Sequence, residues 1–390
     1  MKTVKLGDVC KVVNGGTPKT GVPEYWDGDI FWITPKDLGR VKTRTTGITE
    51  RKITQSGLDN SSAKVIPLNS VILSTRAPIG HVAINTVPMA FNQGCRGLVP
   101  SGEILSEYLY YFLISSKKTL DELGTGTTFR ELSAGSLKNI EVPLPSLREQ
   151  QRVVERLDAA FEKIDRAIEL TEKNIKNADA IFGSLLDTAV QRNPDVEDRT
   201  IGEIANIEYG LTEKSKSKGD YRLIRITDIN SEGFLGSDNK VYVSANQNSE
   251  KYLLREGDIV VARTGATFGK VLHFDDSENA VFASYLIRIN FNGEVLPKLF
   301  WYFAKTPQYW GQANTLASGA AQPQFNGGAL KQIKFSYPAS RDEQQMIVER
   351  LDVYHRLTLR LKTMYQKKTD DLSALKQALL TQAFSQSEVE

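Results

Sequence analysis

Between residues 143 and 190 apolar side chains recur in alternating steps of three and four. Positions 154, 157, 161, 164, 168, 171, 175, 178, 182, 185 and 189 read Val, Leu, Phe, Ile, Ile, Thr, Ile, Ala, Phe, Leu and Ala. Only Thr171 breaks the apolar series. An a/d seam held for about five heptads predicts a coiled-coil helix rather than an ordinary amphipathic surface helix. Pro143 and Pro145 precede it, Ser146 is suited to the N-cap with Glu149 three residues on, and Asn193-Pro194 ends it. At 1.5 Å per residue such a rod is roughly 65 Å long, and its seam needs a partner.

The partner lies in the same chain, over residues 338–386. Glu149-Gln150-Gln151 recurs as Glu343-Gln344-Gln345, and the string Val154–Asp158 recurs as Val348–Asp352, both at an offset of 194 residues. The second seam reads Leu351, Tyr354, Thr358, Leu361, Tyr365, Lys368, Leu372, Leu375 and Leu379, and Thr358 and Lys368 weaken its middle.

The repeat continues outside the helices. Leu6–Val9 answers Ile201–Ile204, Phe31–Leu38 answers Leu223–Ile229, Val71–Ile84 answers Ile259–Phe274, and Leu137–Ile140 answers Leu330–Ile333. The period, just under 200 residues, is too long for a solenoid and predicts one domain-plus-helix module written twice. Short runs rich in β-branched and aromatic residues, 71–73, 82–84, 258–262, 271–274 and 286–290, predict strands. Residues 105–115 and 297–305 predict one helix per domain, and Gly/Thr/Ser/Asn clusters at 14–21, 124–128, 210–219 and 314–328 predict loops. The expected class is α+β: two tandem mixed α/β domains, at 1–142 and 194–337, separated and followed by long helices, at 143–193 and 338–390, that pair as an antiparallel coiled coil with a pseudo-two-fold internal duplication. Antiparallel rods would put the two domains at opposite ends, as two recognition heads at a fixed separation. Double-stranded DNA is the partner whose symmetry and helical repeat match such a ruler.

Composition narrows the classes. The first 145 residues hold 17 Lys/Arg against 13 Asp/Glu, residues 146–195 hold 8 against 10, and the whole chain carries a net charge of +2. A DNA-binding face would therefore be a local gathering of charge. Cys10 and Cys95 give neither a disulfide framework nor a metal set, and His81, His273 and His355 lie far apart with no ligand-spaced neighbour. No run resembles a signal peptide or a membrane span, so a cytoplasmic protein is expected, with no membrane partner and no bound metal.

The chain closely resembles the specificity subunits of type I restriction-modification systems. The resemblance is carried by Gly16-Thr17-Pro18, by Trp32–Leu38 (WITPKDL), by Ser74–Gly80 (STRAPIG), by Gly126–Ser133 (GTTFRELS), by Ile140–Pro145 (IEVPLP) and by Glu149-Gln150-Gln151, with weaker second copies. Residues 264–269 (TGATFG) depart from the APIG turn, and Ala320–Asn326 (AAQPQFN) depart from GTTFREL. The resemblance implies two target-recognition domains that read an asymmetric bipartite DNA site, and no catalysis by this chain. It also implies docking of two methyltransferase subunits and of restriction/translocase subunits. S-adenosylmethionine and ATP are then expected in those partners and no cofactor in this chain.

The residues agree on the missing chemistry. There is no Asn/Asp-Pro-Pro-aromatic tetrapeptide to hold a flipped base, since Asn193-Pro194-Asp195 lacks the second proline and the aromatic. Gly265–Lys270 is one residue short of a phosphate loop, and Val271 replaces its Ser/Thr. Glu50-Arg51-Lys52 is an isolated E-x-K triplet, the Pro-Asp pair lying far downstream at 194–195, so a nuclease site is not supported. His81 reads as a turn-edge residue. Phosphate contacts should come from basic and hydroxyl side chains, and base contacts from Arg, Asn, Gln or Ser on loops. In the first domain the candidates are Lys19, Lys36, Arg40, Lys42, Arg44, Arg76, Asn92, Gln93 and Arg130, with Thr127 and Thr128 added on the family resemblance. In the second they are Lys214, Lys216, Lys218, Arg222, Arg263, Ser284, Gln322, Gln324 and Asn326. Gln150, Gln151 and Arg156, with their copies Gln344, Gln345 and Arg350, would either fix the entry to each rod or form part of a docking surface. The alternative to a DNA-recognition subunit is a coiled-coil assembly scaffold whose two domains bind proteins. A third reading, recognition and methyl transfer in one chain, lacks the base-pocket tetrapeptide.

Overall fold

Both rods form, and both are fastened in the same way. The structure is a computed structural model describing residues 2–126, 130–191, 195–230, 232–236, 238–319 and 324–385. Two 45-residue helices span Leu147–Gln191 and Arg341–Ser385. The Ser146 hydroxyl accepts the Glu149 N–H at 3.3 Å, and the Ser340 hydroxyl accepts the Glu343 N–H at 3.5 Å. One residue further on, Gln150 and Gln344 are fully buried. The Gln150 amide donates to the carbonyls of Glu103 (2.8 Å) and Pro145 (3.0 Å) and accepts the Leu105 N–H at 2.8 Å. The Gln344 amide repeats this with Glu294 (2.9 Å), Pro338 (2.8 Å) and the Leu296 N–H (2.8 Å). Each glutamine thus satisfies its own buried amide on three backbone groups of the surrounding loops. Gln151 and Gln345 are exposed and reach only Glu155 and Glu349 one turn on.

Packing divides the chain into two compact units, residues 1–171 with 367–390, and residues 172–366. In the first, a five-stranded sheet runs in the order 10–14, 95–100, 71–74, 82–85 and 45–46, and a three-stranded sheet in the order 51–53, 26–33 and 89–91. Thr3–Lys5 pairs antiparallel with Glu141–Pro143 and brings the domain's ends together at the helix entry. The helix Ser106–Ser115 buries Tyr108, Leu109, Phe112 and Leu113 in one cluster with Val154, Leu157, Phe161 and Ile164 of the long helix and Leu380 of the C-terminal one. Phe384 lies 5.2 Å from the Tyr108 ring, and Lys376 pairs with Asp165 at 2.7 Å.

The second unit repeats the plan: a sheet ordered 205–209, 286–291, 259–262 and 271–273, a second ordered 242–243, 221–224 and 280–282, and Val196–Thr200 paired with Lys334–Pro338. The registers coincide. Cys10 faces Pro100 as Ala205 faces Phe291, and Ser74 faces Cys95 as Ala262 faces Leu286. Here Phe182 lies 5.1 Å from His355 and Asp179 pairs with Lys362 at 2.9 Å, so the two helices run antiparallel in this unit. The class is α+β, built from a duplicated domain and two long helices, as the repeat predicts.

The first seam is where the heptads put it. Val154, Leu157, Phe161, Ile164, Thr171, Ala178 and Phe182 are buried, and Ile168, Ile175 and Leu185 are partly buried. The Thr171 hydroxyl is satisfied by the Ala167 carbonyl at 2.7 Å. The Ala189 side chain and Asn193-Pro194 lie outside what the structure describes. The second seam needs correction. Leu351 is buried and Leu372 and Leu379 are partly buried, but Leu361 is 39% and Leu375 48% exposed. The stripe that faces inward passes instead through His355, Lys362 and Lys376. Both lysines have seam-side acids, Asp179 and Asp165, which makes a charged residue tolerable there, so choosing the nearest leucine misplaced the face.

Replacing Gln150 or Gln344 by alanine removes a fully buried side chain together with its three hydrogen bonds to the backbone. Either variant should lose about 3 kcal/mol or more of stability in urea unfolding, whereas Gln151→Ala should change it by less than about 0.5 kcal/mol.

Candidate nucleic-acid interface

In the first domain the strand Val71–Ser74 runs out into Thr75 and Arg76, and Glu131 lies beside it, bridged to both Arg76 and Thr125. Glu131 takes two arginines, Arg76 at 3.5 Å and the buried Arg96 at 3.3 Å. Arg96 also donates to the carbonyls of Gln93 (2.9 Å) and Cys95 (3.0 Å). The Gln93 side chain accepts a hydrogen bond from Thr17, and Asn92 accepts the Gly94 N–H at 3.0 Å. Four predicted contacts, Arg76, Asn92, Gln93 and Arg130, therefore share one edge. Thr127 and Thr128 lie outside the described residues.

The remaining first-domain candidates divide. Lys36 and Arg40 are exposed and share Glu50 at 3.1 and 2.8 Å, and the hydrogen bond from Lys36 holds that carboxyl below its usual range. Beside them a cleft of about 660 Å³ is lined by Arg40, Lys42, Thr43, Thr45 and Glu50. Lys19 and Lys42 are exposed. Arg44 is placed otherwise: it is 2.5 Å from Asp158 of the long helix and lies over the Tyr111 ring, which makes it a fastening between domain and helix. Sequence reasoning missed Arg51, 3.5 Å over Trp26, and Lys52, 4.4 Å over Phe31. Both sit on the strand Arg51–Ile53, and their signal in the sequence is the adjacent basic pair within Glu50-Arg51-Lys52. His81 is partly buried, with a ring nitrogen 3.2 Å from where a Cβ on Gly39 would stand, and burial lowers its basicity.

In the second domain Arg263, Ser284, Gln324 and Asn326 come to the equivalent edge. Gln324 bridges Ser318 and Thr264, and the Phe325 N–H donates to the Arg263 carbonyl at 2.7 Å. Asn326 caps the helix Gly327–Lys331, its side chain accepting the Ala329 N–H at 3.0 Å. Tyr209 and Tyr285 flank Arg263, another pair the sequence reading passed over. Lys214, Lys216 and Lys218 are exposed, and Lys216 is tied to Ser244 at 2.9 Å. Arg222 is 2% exposed, with its head on the Gly236 carbonyl (2.6 Å) and near Asp276 and Glu278, a position that leaves it no surface for a DNA contact. Gln322 lies outside the described residues. Gly265–Thr267 is a single helical turn between strands, with Gly265 and Gly269 at positive φ, in keeping with a turn.

The profile of the type I restriction modification DNA specificity domain matches this chain twice, over residues 1–178 and 193–369. The chain belongs to that family. Among type I specificity subunits, those of the MjaIX enzyme of Methanocaldococcus jannaschii and the EcoR124I/EcoR124II enzyme of Escherichia coli are 34% and 33% identical to it, over 53% and 43% of this chain. The chain spans about half the length of these two relatives, 52% and 44%. The StySPI specificity subunit of Salmonella potsdam is 22% identical over 98% of this chain and 88% of its own. Among solved structures, one reported for complex assembly and conformational transition of the type I R-M system aligns with a TM-score of 0.79 at 19% identity, covering 98% of this chain and 97% of that one. The HsdS subunit from Thermoanaerobacter tengcongensis aligns with a TM-score of 0.54 at 17% identity, covering 99% and 96%. These two likenesses are of fold.

In this type I specificity chain the aspartate that ends each repeated VERLD string ties helix to domain. Asp158 accepts the Tyr111 hydroxyl, and Asp352 accepts the Tyr302 hydroxyl at 2.5 Å and Lys298 at 2.7 Å. Burial, helped by the aspartates, raises both phenol pKa values. Next to Asp352, His355 is buried among Phe182, Phe234, Trp301 and Tyr302, and neither ring nitrogen has a partner. Burial, reinforced by Lys305, lowers its pKa from 6.5 to about 4. Among the described residues no group of three or more His, Cys, Asp or Glu could hold a metal, and no helix is long and apolar enough to cross a membrane.

His355 stays neutral in the fold and protonates more readily when unfolded. Its stabilising contribution is complete above pH 6.5 and is lost as pH falls from 6.5 towards 4, by about 3 kcal/mol in all. Urea unfolding across that window should show the loss, and His355→Phe should flatten it.

Proposed function

We infer that this chain is the DNA-reading subunit of a type I restriction-modification enzyme and performs no chemistry itself. Each domain reads one half of an asymmetric two-part site, and the long helices fix the length of duplex left unread between the halves. One observation carries the reading: a single backbone plan is written twice, with matched strand registers, yet the side chains along the corresponding edges differ, Glu131 against Gln324 and Gly94 against Tyr285. A duplicated scaffold with divergent edges suits two different half-sites. Phosphate contacts would come from exposed cations such as Lys19, Lys42, Lys214 and Lys218, and base contacts from the two edges that carry Glu131 and Gln324. Two methyltransferase subunits and a restriction/translocase subunit would dock on the same chain in the cytoplasm and bring S-adenosylmethionine and ATP.

Inserting one heptad into both long helices lengthens each by about 10 Å, close to three base pairs of duplex. Mapping methylated bases after co-expression with the methyltransferase should show the gap widened by about that much and both half-sites unchanged. Altered half-sites with an unaltered gap would sink the reading. Affinity of the assembled complex for its site should also fall steeply and log-linearly with salt, and a flat dependence would favour a protein-binding scaffold.

A further inference from the structure

Because the registers coincide, the edges of the two domains can be compared residue by residue. Asn14, Thr75, Gly94 and Glu131 of the first correspond to Tyr209, Arg263, Tyr285 and Gln324 of the second. The backbone agrees: the Thr75 N–H donates to the Gly94 carbonyl at 2.8 Å, and the Arg263 N–H to the Tyr285 carbonyl at 3.0 Å. The ion pairing does not agree. In the first domain both arginines of the edge, Arg76 and Arg96, have a carboxylate partner in Glu131. The second has a neutral glutamine at that place, and the Arg263 guanidinium has no hydrogen bond or ion pair to any described residue.

Arg263 is nevertheless held in place. Its guanidinium carbon lies 5.2 Å from the centre of the Tyr209 ring and 5.3 Å from that of Tyr285. Tyr209 is anchored by its hydroxyl, which accepts the Gly327 N–H at 2.8 Å. Both tyrosines stand in solvent, 42% and 53% exposed. The Arg263 Nε is buried without a partner, so a ligand meets the two terminal nitrogens end-on. A planar two-pronged donor held between two exposed aromatic rings has little freedom left to lose on binding. In a DNA major groove such a fork matches O6 and N7 of guanine, the pair of acceptors that arginine takes bidentately.

We propose that Arg263 is a specificity-determining residue of the second domain, reading a guanine by donating its two terminal N–H groups to O6 and N7, with Tyr209 and Tyr285 holding the plane. This rests on the reading of the chain as a DNA-specificity subunit. The first domain, with Asn14, Thr75 and Gly94 at these places, reads its half-site by other groups.

The test is selection of bound duplexes from a randomised 40-base-pair library by the full chain assembled with its methyltransferase subunits, for the wild type, Arg263→Lys and Arg263→Gln. Lysine keeps the charge and loses the fork. The expected result is a two-part consensus for the wild type and, in both variants, loss of preference at one G·C pair of one half-site. Affinity for the original consensus should fall on the order of ten- to a hundred-fold, with the other half-site unchanged. An unchanged consensus overturns the proposal: with Arg263→Lys near wild type and Arg263→Gln uniformly weaker, Arg263 is a phosphate contact, and with neither weaker it is surface packing. A wild type that selects no sequence overturns the DNA-specificity reading and this proposal with it. Matching thermal unfolding of the three proteins ensures that a change in consensus is not a change in folding.

Discussion

The structure depends on a buried side-chain amide that closes the start of each long helix onto its own domain. A helix entry next to a loop presents backbone donors and acceptors that cannot all be met within the helix. The buried amides of Gln150 and Gln344 bind three backbone groups each, at the helix entry and in the loop beside it, and the hydroxyls of Tyr111 and Tyr302 add a second tie two turns further on through Asp158 and Asp352. With those points held, the apolar seam of each helix is presented to the cluster under the domain, where Leu157 and Phe161 pack in one unit and Val348 and Leu351 in the other. The hydrophobic burial is larger in sum, but it is non-directional, and the amide and the carboxylate choose its register.

Much of the fold was legible because its signals are periodic or repeated. The first seam needs only a period of 3.5, and every described position follows it. The repeated Glu-Gln-Gln and VERLD strings announced the joint, and the entry role of Gln150 and Gln344 is the plainer of the two readings the sequence allowed. Where sequence reasoning failed on the second helix, it failed for a physical reason. Hydrophobic periodicity counts leucines, whereas the inward face carries His355, Lys362 and Lys376, each made acceptable by a partner on another segment.

The candidate interface was less legible. A basic residue in a polar stretch looks the same whether it faces water or is spent inside the protein. Arg44 and Arg222 are tied to Asp158 and to the Gly236 carbonyl, while Arg51, Lys52 and the tyrosines around Arg263 went unnoticed because their setting is made by residues distant in sequence. Partners more than a hundred positions away, as Asp158 is from Arg44, leave no local trace.

The duplicated joint has a consequence for how such a chain can change. The clamp is separate from the hairpin-side edge that carries Glu131 or Gln324: its partners are backbone groups, one tyrosine and one basic side chain, Arg44 in the first domain and Lys298 in the second. A domain lifted from another chain with the same Glu-Gln-Gln entry and VERLD aspartate would find its socket already cut. Novelty of recognition can therefore arrive in whole pieces, joined within the repeated string, while the frame that carries them stays as it is.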